Sequence, residues 1–464
     1  MNGVKLLFSS VFILMLILTN VHAMGVLTID KYMDMVLENN SELKSIQLKI
    51  DALEGKLAET EKIYFYYLST GVNYSEDYKK EFYSNNDESN KNVKYDTKID
   101  KQFATGTKIT LSLNNLYNRN TNYNIRPSIE LEQSLLKNMG GVHTKAEIEK
   151  VRASTKSTLY KLEYDKQNIL LNARLAYWNL AYSRMIINFK KLSLNRTEKI
   201  LTWSQKKYDM DLILKSNLLE VQAALKKKEL NLCFAYEEEK KMNRQFNQFL
   251  NVNNIDSEYK IENFETKSNN FKIDKTLNKK GTRKDVLSVL ESVSIALYDQ
   301  ISTEKNLKSD LIFKGQYMLV GAGQTINDVM KDIENSNKFF YSLELRYILP
   351  LNFKLQKKIN QGYKFIKIAA QKSAEYALIQ ENNDWFQLMY DWSNIKKKLN
   401  TVIEIENIQR QKYEEDKNLF IKGRITTTQI LREEQALDDA KLDVSKNIFE
   451  LIKIYEQAEI IYNN

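Results

Sequence analysis

Residues 171–192 read LNARLAYWNLAYSRMIINFKKL, with Leu171, Leu175, Trp178, Tyr182, Met185, Phe189 and Leu192 recurring at alternating steps of four and three. An apolar seam of this period, held over three heptads, marks a helix packed lengthwise against a partner helix. The flanking sequence extends it. From Val142 to Lys280 the chain has neither glycine nor proline, a run of 139 residues. One helix is therefore expected from about Thr144 to about Tyr208, and its 65 residues at ~1.5 Å each span roughly 100 Å. Leu388, Trp392, Ile395, Leu399 and Val402 repeat the seam farther on.

The chain has 464 residues, 43% hydrophobic and 28% charged, which excludes disorder along its length. Two prolines and thirteen glycines in so long a chain fit long, unbroken helices. Cys233 is the only cysteine, so an intramolecular disulfide and a cysteine-rich metal site are excluded. Of two histidines, His22 lies in a segment expected to be removed, which leaves His143 alone and argues against a two-histidine zinc site or a histidine-based triad. No G-x-S-x-G, H-E-x-x-H or G-x-x-x-x-G-K-[ST] occurs. Sixty acidic residues make neighbours such as Glu433 and Glu434 inevitable, so carboxylate pairs point to no chemistry. The expectation is a non-enzyme without cofactor or metal.

Met1–Lys5 is a short positive start, Leu6–Leu18 an apolar run, and Val21-His22-Ala23 resembles a cleavage site, so residues 1–23 read as a secretory signal peptide. The apolar run is shorter than the ~20 residues of a spanning helix. Losing Lys5 with it lowers the formal charge from +9 to +8. Lysine runs at 226–228 and 396–398 read as solvated helix faces, and after export no nucleic-acid partner is expected. Export without disulfides points to a Gram-negative envelope, and any membrane insertion there must use strands.

Such strands are readable. Ile109, Leu111 and Leu113 alternate with Lys108, Thr110 and Ser112; Ile129, Leu131 and Leu135 alternate with Ser128, Glu130, Glu132 and Ser134. In the second half Tyr341, Leu343, Leu345, Tyr347 and Leu349 alternate with Ser342, Glu344 and Arg346. Strands with charge on one face and Leu or Tyr on the other fit a soluble sandwich edge or a water-filled membrane barrel. Aromatics gather at Tyr64–Tyr67, Tyr74, Phe103, Phe313, Tyr317 and Phe339–Tyr341, as ordinary strand residues or as interfacial girdles. Residues 64–136 and 311–353 are the windows expected to hold membrane strands, with outer loops near Asp87 and Asp328. Four to six strands per chain are too few for a single-chain barrel, so several chains must share one.

The halves also match each other. Ser128-Ile129-Glu130-Leu131 resembles Ser342-Leu343-Glu344-Leu345, an offset of 214, and Ala224-Leu225 with Leu230 resembles Ala436-Leu437 with Leu442, an offset of 212. A duplicated unit follows: a first repeat at 24–250, a polar linker at 251–285 and a second repeat at 286–464.

On this duplicated frame the chain resembles the TolC family of outer-membrane efflux proteins across residues 27–462. Leu27-Thr28-Ile29-Asp30 with Glu38–Lys44 resembles the family's opening helix. Glu132–Asn138 resembles its Q-P-L-L-R-x strand exit, with Gln133 and Leu135 kept and Ser134 in the proline's place; Leu349-Pro350-Leu351 matches the second exit. Phe420–Gly423 with Thr426–Leu431 resembles the helix-turn signature Y-x-x-G-x-x-x-x-x-D-x-L, and Tyr208–Leu219 matches it with Asp211 in the glycine's place.

The resemblance implies a mainly α chain with a β-barrel portion. Three copies would share a 12-stranded barrel in outer-membrane lipid, four strands each, above a long α-helical coiled-coil tunnel. It further implies docking through a periplasmic adaptor to an inner-membrane transporter, for efflux or type I secretion. An extra hairpin over Tyr95–Asn115 departs from the pattern and is assigned to an outer loop or the barrel wall. Docking turns are expected at Asp211, Leu212, Ile213, Gly423 and Ile425, and a periplasmic gate at Asn217, Phe420, Arg424, Gln429 and Arg432. The family's tip aspartates are replaced by Gln429, Arg432 and Asn217, which implies a weaker cation preference. The competing reading is a periplasmic coiled-coil adaptor or structural envelope protein, which explains the helices but not the twice-repeated strands.

Overall fold

The computed structural model describes residues 26–79, 88–118, 122–264, 277–335 and 338–463. The signal segment at 1–23, Asp87 and part of the polar linker lie outside the described residues. Helices α1 (Ile29–Asn39) and α2 (Ser41–Glu61) lead into strands β1 (Tyr66–Lys79), β2 (Glu88–Gln102), β3 (Thr107–Asn118) and β4 (Asn122–Ser134). Helices α3 (Val142–Asp209) and α4 (Lys215–Leu250) complete the first half. The second half runs α5 (Lys284–Asn306), β5 (Asp310–Leu319), β6 (Gly321–Gly323), α6 (Ile326–Asn335), β7 (Phe339–Ile348), α7 (Phe353–Ile421) and α8 (Thr427–Gln457), and ends in a π-helical turn at Ala458–Tyr462. The long helices have 68 and 69 residues. Among the described residues no helix is long and apolar enough to cross a membrane.

Two compact units divide the chain. One gathers the residues up to Lys49, Leu162–Arg283 and Ile379 onward. Its entry is fixed by polar caps. Thr28 Oγ1 accepts the Lys31 N–H at the start of α1, and Asn40 Oδ1 accepts the N–H groups of Glu42 and Leu43 at the start of α2. Tyr32 stacks on Phe246 with ring centroids 4.2 Å apart and donates its hydroxyl to the Phe246 carbonyl. Its neighbour Tyr177 and Tyr32 itself have their phenol pKa pushed up by burial.

The second-half seam packs as expected: Leu388, Trp392 and Leu399 are buried against Leu451, Ile460, Ile461 and Tyr462, with Ile395 and Val402 beside them. The first-half seam needs correction. Trp178 and Met185 are buried, but Leu192 is 56% exposed, and Ala173, Ala176, Tyr177, Leu180 and Ala181 share the core. Helix α3 has neighbours on more than one side, so its buried positions spread beyond one stripe, and alanines let the backbones approach.

The other unit, Ile50–Lys161 with Lys284–Leu378, contains the whole sheet. All pairings are antiparallel, in the order β1-β2-β3-β4-β5-β7, with the short β6 beside β4. Six full strands therefore stand where the resemblance implied four. The surplus is the hairpin β2–β3, which is part of the sheet wall and not an outer loop. Its turn, Phe103–Gly106, points the other way, toward the exit where β4 passes into α3.

There Gly141 has φ +74°, and a Cβ added to it would lie 1.8 Å from the Ala104 carbonyl oxygen. One added at Gly106 would lie 2.6 Å from the Asn138 carbonyl oxygen. Backbone is pressed on backbone, and neither strand end can retreat. Gly141→Ala is therefore expected to lower stability by about 2–4 kcal/mol, the sum of overpacking and left-handed strain. A lowered melting midpoint followed by circular dichroism would register this, and an unchanged melting profile would contradict it.

The window 311–353, expected to hold strands, also contains the helix α6. Thr325 and Asp328 cap it reciprocally, the Thr325 N–H donating to Asp328 Oδ2 and the Asp328 N–H to Thr325 Oγ1.

Candidate functional site

In the sheet, register sorts side chains onto two faces of opposite character. One row across the strands is Leu68, Ile99, Leu111, Ile129, Tyr317 and Tyr341. Below it run Ile109, Leu131, Gly315 and Leu343, and above it Thr70, Thr97, Leu113, Pro127, Leu319 and Phe339. Leu68, Leu111, Ile129, Tyr341, Leu343 and Leu345 are among the exposed large apolar residues. A largely apolar face of this extent left exposed marks a surface built for an apolar surrounding.

The opposite face is polar and charged. Lys108 pairs with Asp100 at 3.1 Å, Lys314 with Glu132 at 2.7 Å and Glu130 at 3.4 Å, and Ser112 meets Ser128 at 2.6 Å. Each alternation read in the sequence for β3, β4 and β7 lies on this two-faced pattern. Strand β2 follows it from Val93 to Asp100, with Val93, Tyr95, Thr97 and Ile99 on the apolar side and Lys94, Asp96, Lys98 and Asp100 on the charged side. At its end Lys101 breaks the apolar side between Tyr66 and Ile109, its ammonium lying over the Tyr66 ring and donating to the Tyr64 carbonyl.

The exit residues hold the end of the sheet. Ser134, in the family proline's place, donates from Oγ to Asp310 Oδ1 at 2.7 Å and accepts the Asn138 N–H at 2.9 Å. The hydroxyl thus ties β4 to β5 and starts the turn, a junction that proline has no side-chain oxygen to make. Gln133 accepts from the Thr107 hydroxyl, and the Leu135 N–H donates to the Leu311 carbonyl. At the second exit the Pro350 carbonyl accepts from Gln356 Nε2, and Leu351 is 76% exposed.

In the helical unit the two turns share one backbone geometry. Asp211 has φ 59° and Gly423 φ 73°. The Asp211 N–H donates to the Tyr208 carbonyl and the Leu212 N–H to the Lys207 carbonyl; likewise Gly423 donates to Phe420 and Arg424 to Leu419. These are two Schellman ends, 212 residues apart, the same offset as the sequence duplication. Their side chains differ. Around the first turn Met210, Leu212, Leu214 and Leu219 are all more than half exposed. Leu214 begins α4 without a side-chain cap, whereas Thr426 caps α8 by accepting the Gln429 N–H. Thr428 Oγ1 donates to Glu220 Oε2 at 2.8 Å and joins the two turns.

The expected gate residues separate here. Arg424 and Arg432 are exposed, with Arg432 3.4 Å from Glu433 Oε1, and Asn217, Ile213, Ile425 and Gln429 are half-buried. Phe420 is not at a rim. It is 1% exposed, packed among Ile200, Val221, Tyr413, Ile430 and Leu437, with Lys207 Nζ 3.8 Å over its ring. A side chain closed in by four helices of its own chain has no surface with which to line a passage.

Just inside the turns lies a charge cluster that sequence reading passed over. Glu434 and Asp438 on α8 meet Arg196 and Ser193 from α3 and Lys228 from α4. Lys228 Nζ lies 2.8 Å from both carboxylates. Burial raises the Glu434 pKa, and the neighbouring Asp438 charge adds to it. Burial works the same way on Asp438, but hydrogen bonds from Lys228 and Ser193 with the nearby cations outweigh it and hold that carboxyl below its ordinary value. Tyr413 beside the cluster is pushed up to about 12 by burial.

No family profile matches the chain, and no curated protein matches it in sequence. Solved structures do. The outer membrane protein VceC from Vibrio cholerae superposes with a TM-score of 0.68 at 12% identity, over 94% of this chain and 97% of that one. The CmeC outer membrane channel of Campylobacter jejuni gives 0.64 at 13% identity, over 93% and 84%. The MtrE outer membrane channel of Neisseria gonorrhoeae, in its open state, gives 0.63 at 10% identity, over 92% and 88%. Over more than nine-tenths of its length this chain therefore has the fold of the outer-membrane channels, the fold that its TolC-family motifs imply.

Proposed function

We propose that this protein is the outer-membrane conduit of a tripartite export system, a homotrimer whose strands share a lipid-embedded barrel and whose helices form a tunnel in the periplasm. The observation that carries the reading is the two-faced sheet. Its apolar face runs from β1 to β7, its charged face suits a water-filled passage, and among the described residues its outer strands β1 and β7 each have an unpaired edge. An unpaired edge cannot face hydrocarbon, so copies must complete the sheet for one another.

The exposed apolar residues at Met210, Leu212 and Leu214 suit docking of an adaptor that connects to an inner-membrane transporter. A conduit holds no reaction centre and requires no cofactor. The alternative, a periplasmic adaptor or structural protein, leaves the apolar sheet face without a purpose.

Orientation gives the test. In a Cys233→Ser background, Asp328→Cys on α6 is expected to react with a membrane-impermeant maleimide in intact cells, and Asp211→Cys to react only after the outer membrane is breached. The reverse pattern would invert the topology, and reaction of both in intact cells would remove the protein from the outer membrane.

A further inference from the structure

We infer that the assembled channel carries an eighteen-stranded barrel, six strands from each of three copies, closed by pairing β1 of one copy with β7 of the next. The inference rests on the trimeric conduit reading and adds the size of the barrel to it. Three observations carry it.

The first is that β2 and β3 are full members of the sheet. Strand β2 is registered with β1 from Tyr66↔Lys101 to Lys79↔Glu88 and with β3 from Gln102↔Lys108 to Asn92↔Asn118. A hairpin folded outward as a loop would leave β1 free to pair with β4 directly, and that pairing is absent among the described residues.

The second is chemical. The hairpin has the same two faces as the other four strands: Tyr95, Ile99, Leu111 and Leu113 continue the apolar rows, and Lys94, Asp96, Lys98 and Asp100 continue the charged ones. An exposed loop has no reason to keep a lipid-type face in register with its neighbours. The third is mechanical, since the Phe103–Gly106 turn is wedged against the backbone of Asn138–Gly141, where every strand of the wall ends.

Closure then follows from direction. With six strands alternating along the path, β1 and β7 run opposite ways, so β1 of one copy meets β7 of the next antiparallel and the ring closes without a mismatch. Each edge strand turns five residues to the apolar side over a nine-residue stretch, Tyr66–Tyr74 and Phe339–Tyr347, close to the ~9–11 residues a tilted strand needs to cross a membrane. Barrel diameter grows about linearly with strand number, so eighteen strands give a bore about 1.5 times that of twelve, in the range where an aqueous channel stays open. Lys98, Asp100, Lys108, Glu130, Glu132 and Lys314 would line it.

Electron-microscopic imaging of the full-length protein extracted in detergent decides the matter, with strands counted in the membrane portion. Eighteen around a threefold axis is the expected result. A trimer with twelve, its β2–β3 hairpin outside the wall, overturns the barrel size and leaves the conduit reading intact. Particles without a shared barrel overturn both.

Discussion

Asp438→Asn is expected to destabilise the helical unit by about 3–5 kcal/mol, and by more than Glu434→Gln does. Both carboxylates sit in the same buried cluster, but their environments differ in sign. Glu434 is raised by burial, so the folded state takes up its proton more readily than the unfolded chain does. Its ionised form is the strained one, and glutamine imitates the protonated form. Asp438 is held low by Lys228, Ser193 and Arg196, so its charge contributes stability above the ordinary carboxylate range. That contribution disappears only as pH falls through its depressed folded value.

Removing the Asp438 charge leaves Arg196 and Lys228 facing one carboxylate, and breaking a buried pair costs far more than the pair contributes net. Melts followed by circular dichroism at pH 7 and pH 5 would show a large Asp438→Asn deficit at both. Mild acid should widen the Glu434→Gln gap, because only the wild-type chain gains from taking up the Glu434 proton in the folded state. Equal deficits for the two variants would mean that the cluster acts as one undivided charge.

The second expectation concerns the helix turns. Gly423→Val should abolish export while trimers still assemble, because a β-branched residue is strained at φ 73° and the last turn of α7 must unwind. Asp211→Val should act alike at the twin turn, whereas Asp211→Gly should be tolerated, since glycine adopts the left-handed conformation without a Cβ penalty. The readout is survival of the host when challenged with compounds that the intact system removes, with trimer recovery as the control. Loss of trimers in Gly423→Val would make the turn a purely structural element. Normal export would show that its shape is not used in docking.

Much of this architecture was legible because a few residue types leave little choice. Asp211 and Gly423 could be matched across the duplication since few side chains accept a positive φ, and the turns do share their hydrogen bonds. Period-two alternation identified the face of Ile129 and Leu131 without knowledge of any partner strand. Other features had no local signature. Leu192 continues a heptad perfectly and is exposed, because burial on α3 depends on which neighbours surround each turn. Phe420 beside a turn reads equally well as rim or core, and only packing puts it in the core. The Arg196–Lys228–Glu434–Asp438 cluster joins three helices, so spacing along any one of them reveals nothing. The cap of α6 has a T-x-x-D signature at Thr325–Asp328, yet it lies between two alternating strands, where a short helix has no period of its own to set it apart.

The seam between β4 and β5 carries a consequence for how the protein is made. It pairs Ser134 with Ile312 and Ser128 with Met318, partners supplied by opposite halves of the chain. Pairing so distant in sequence is slow, because loop closure precedes any compensating contact. The meander β1–β4 can form from the first half alone, with an apolar face uncovered and a bare edge along β4. Until α3, α4 and α5 have been delivered and β5 arrives, that intermediate is prone to stick to other chains. The order of synthesis therefore leaves a half-finished sheet exposed until the last third of the polypeptide, which carries β5, closes its β4 edge.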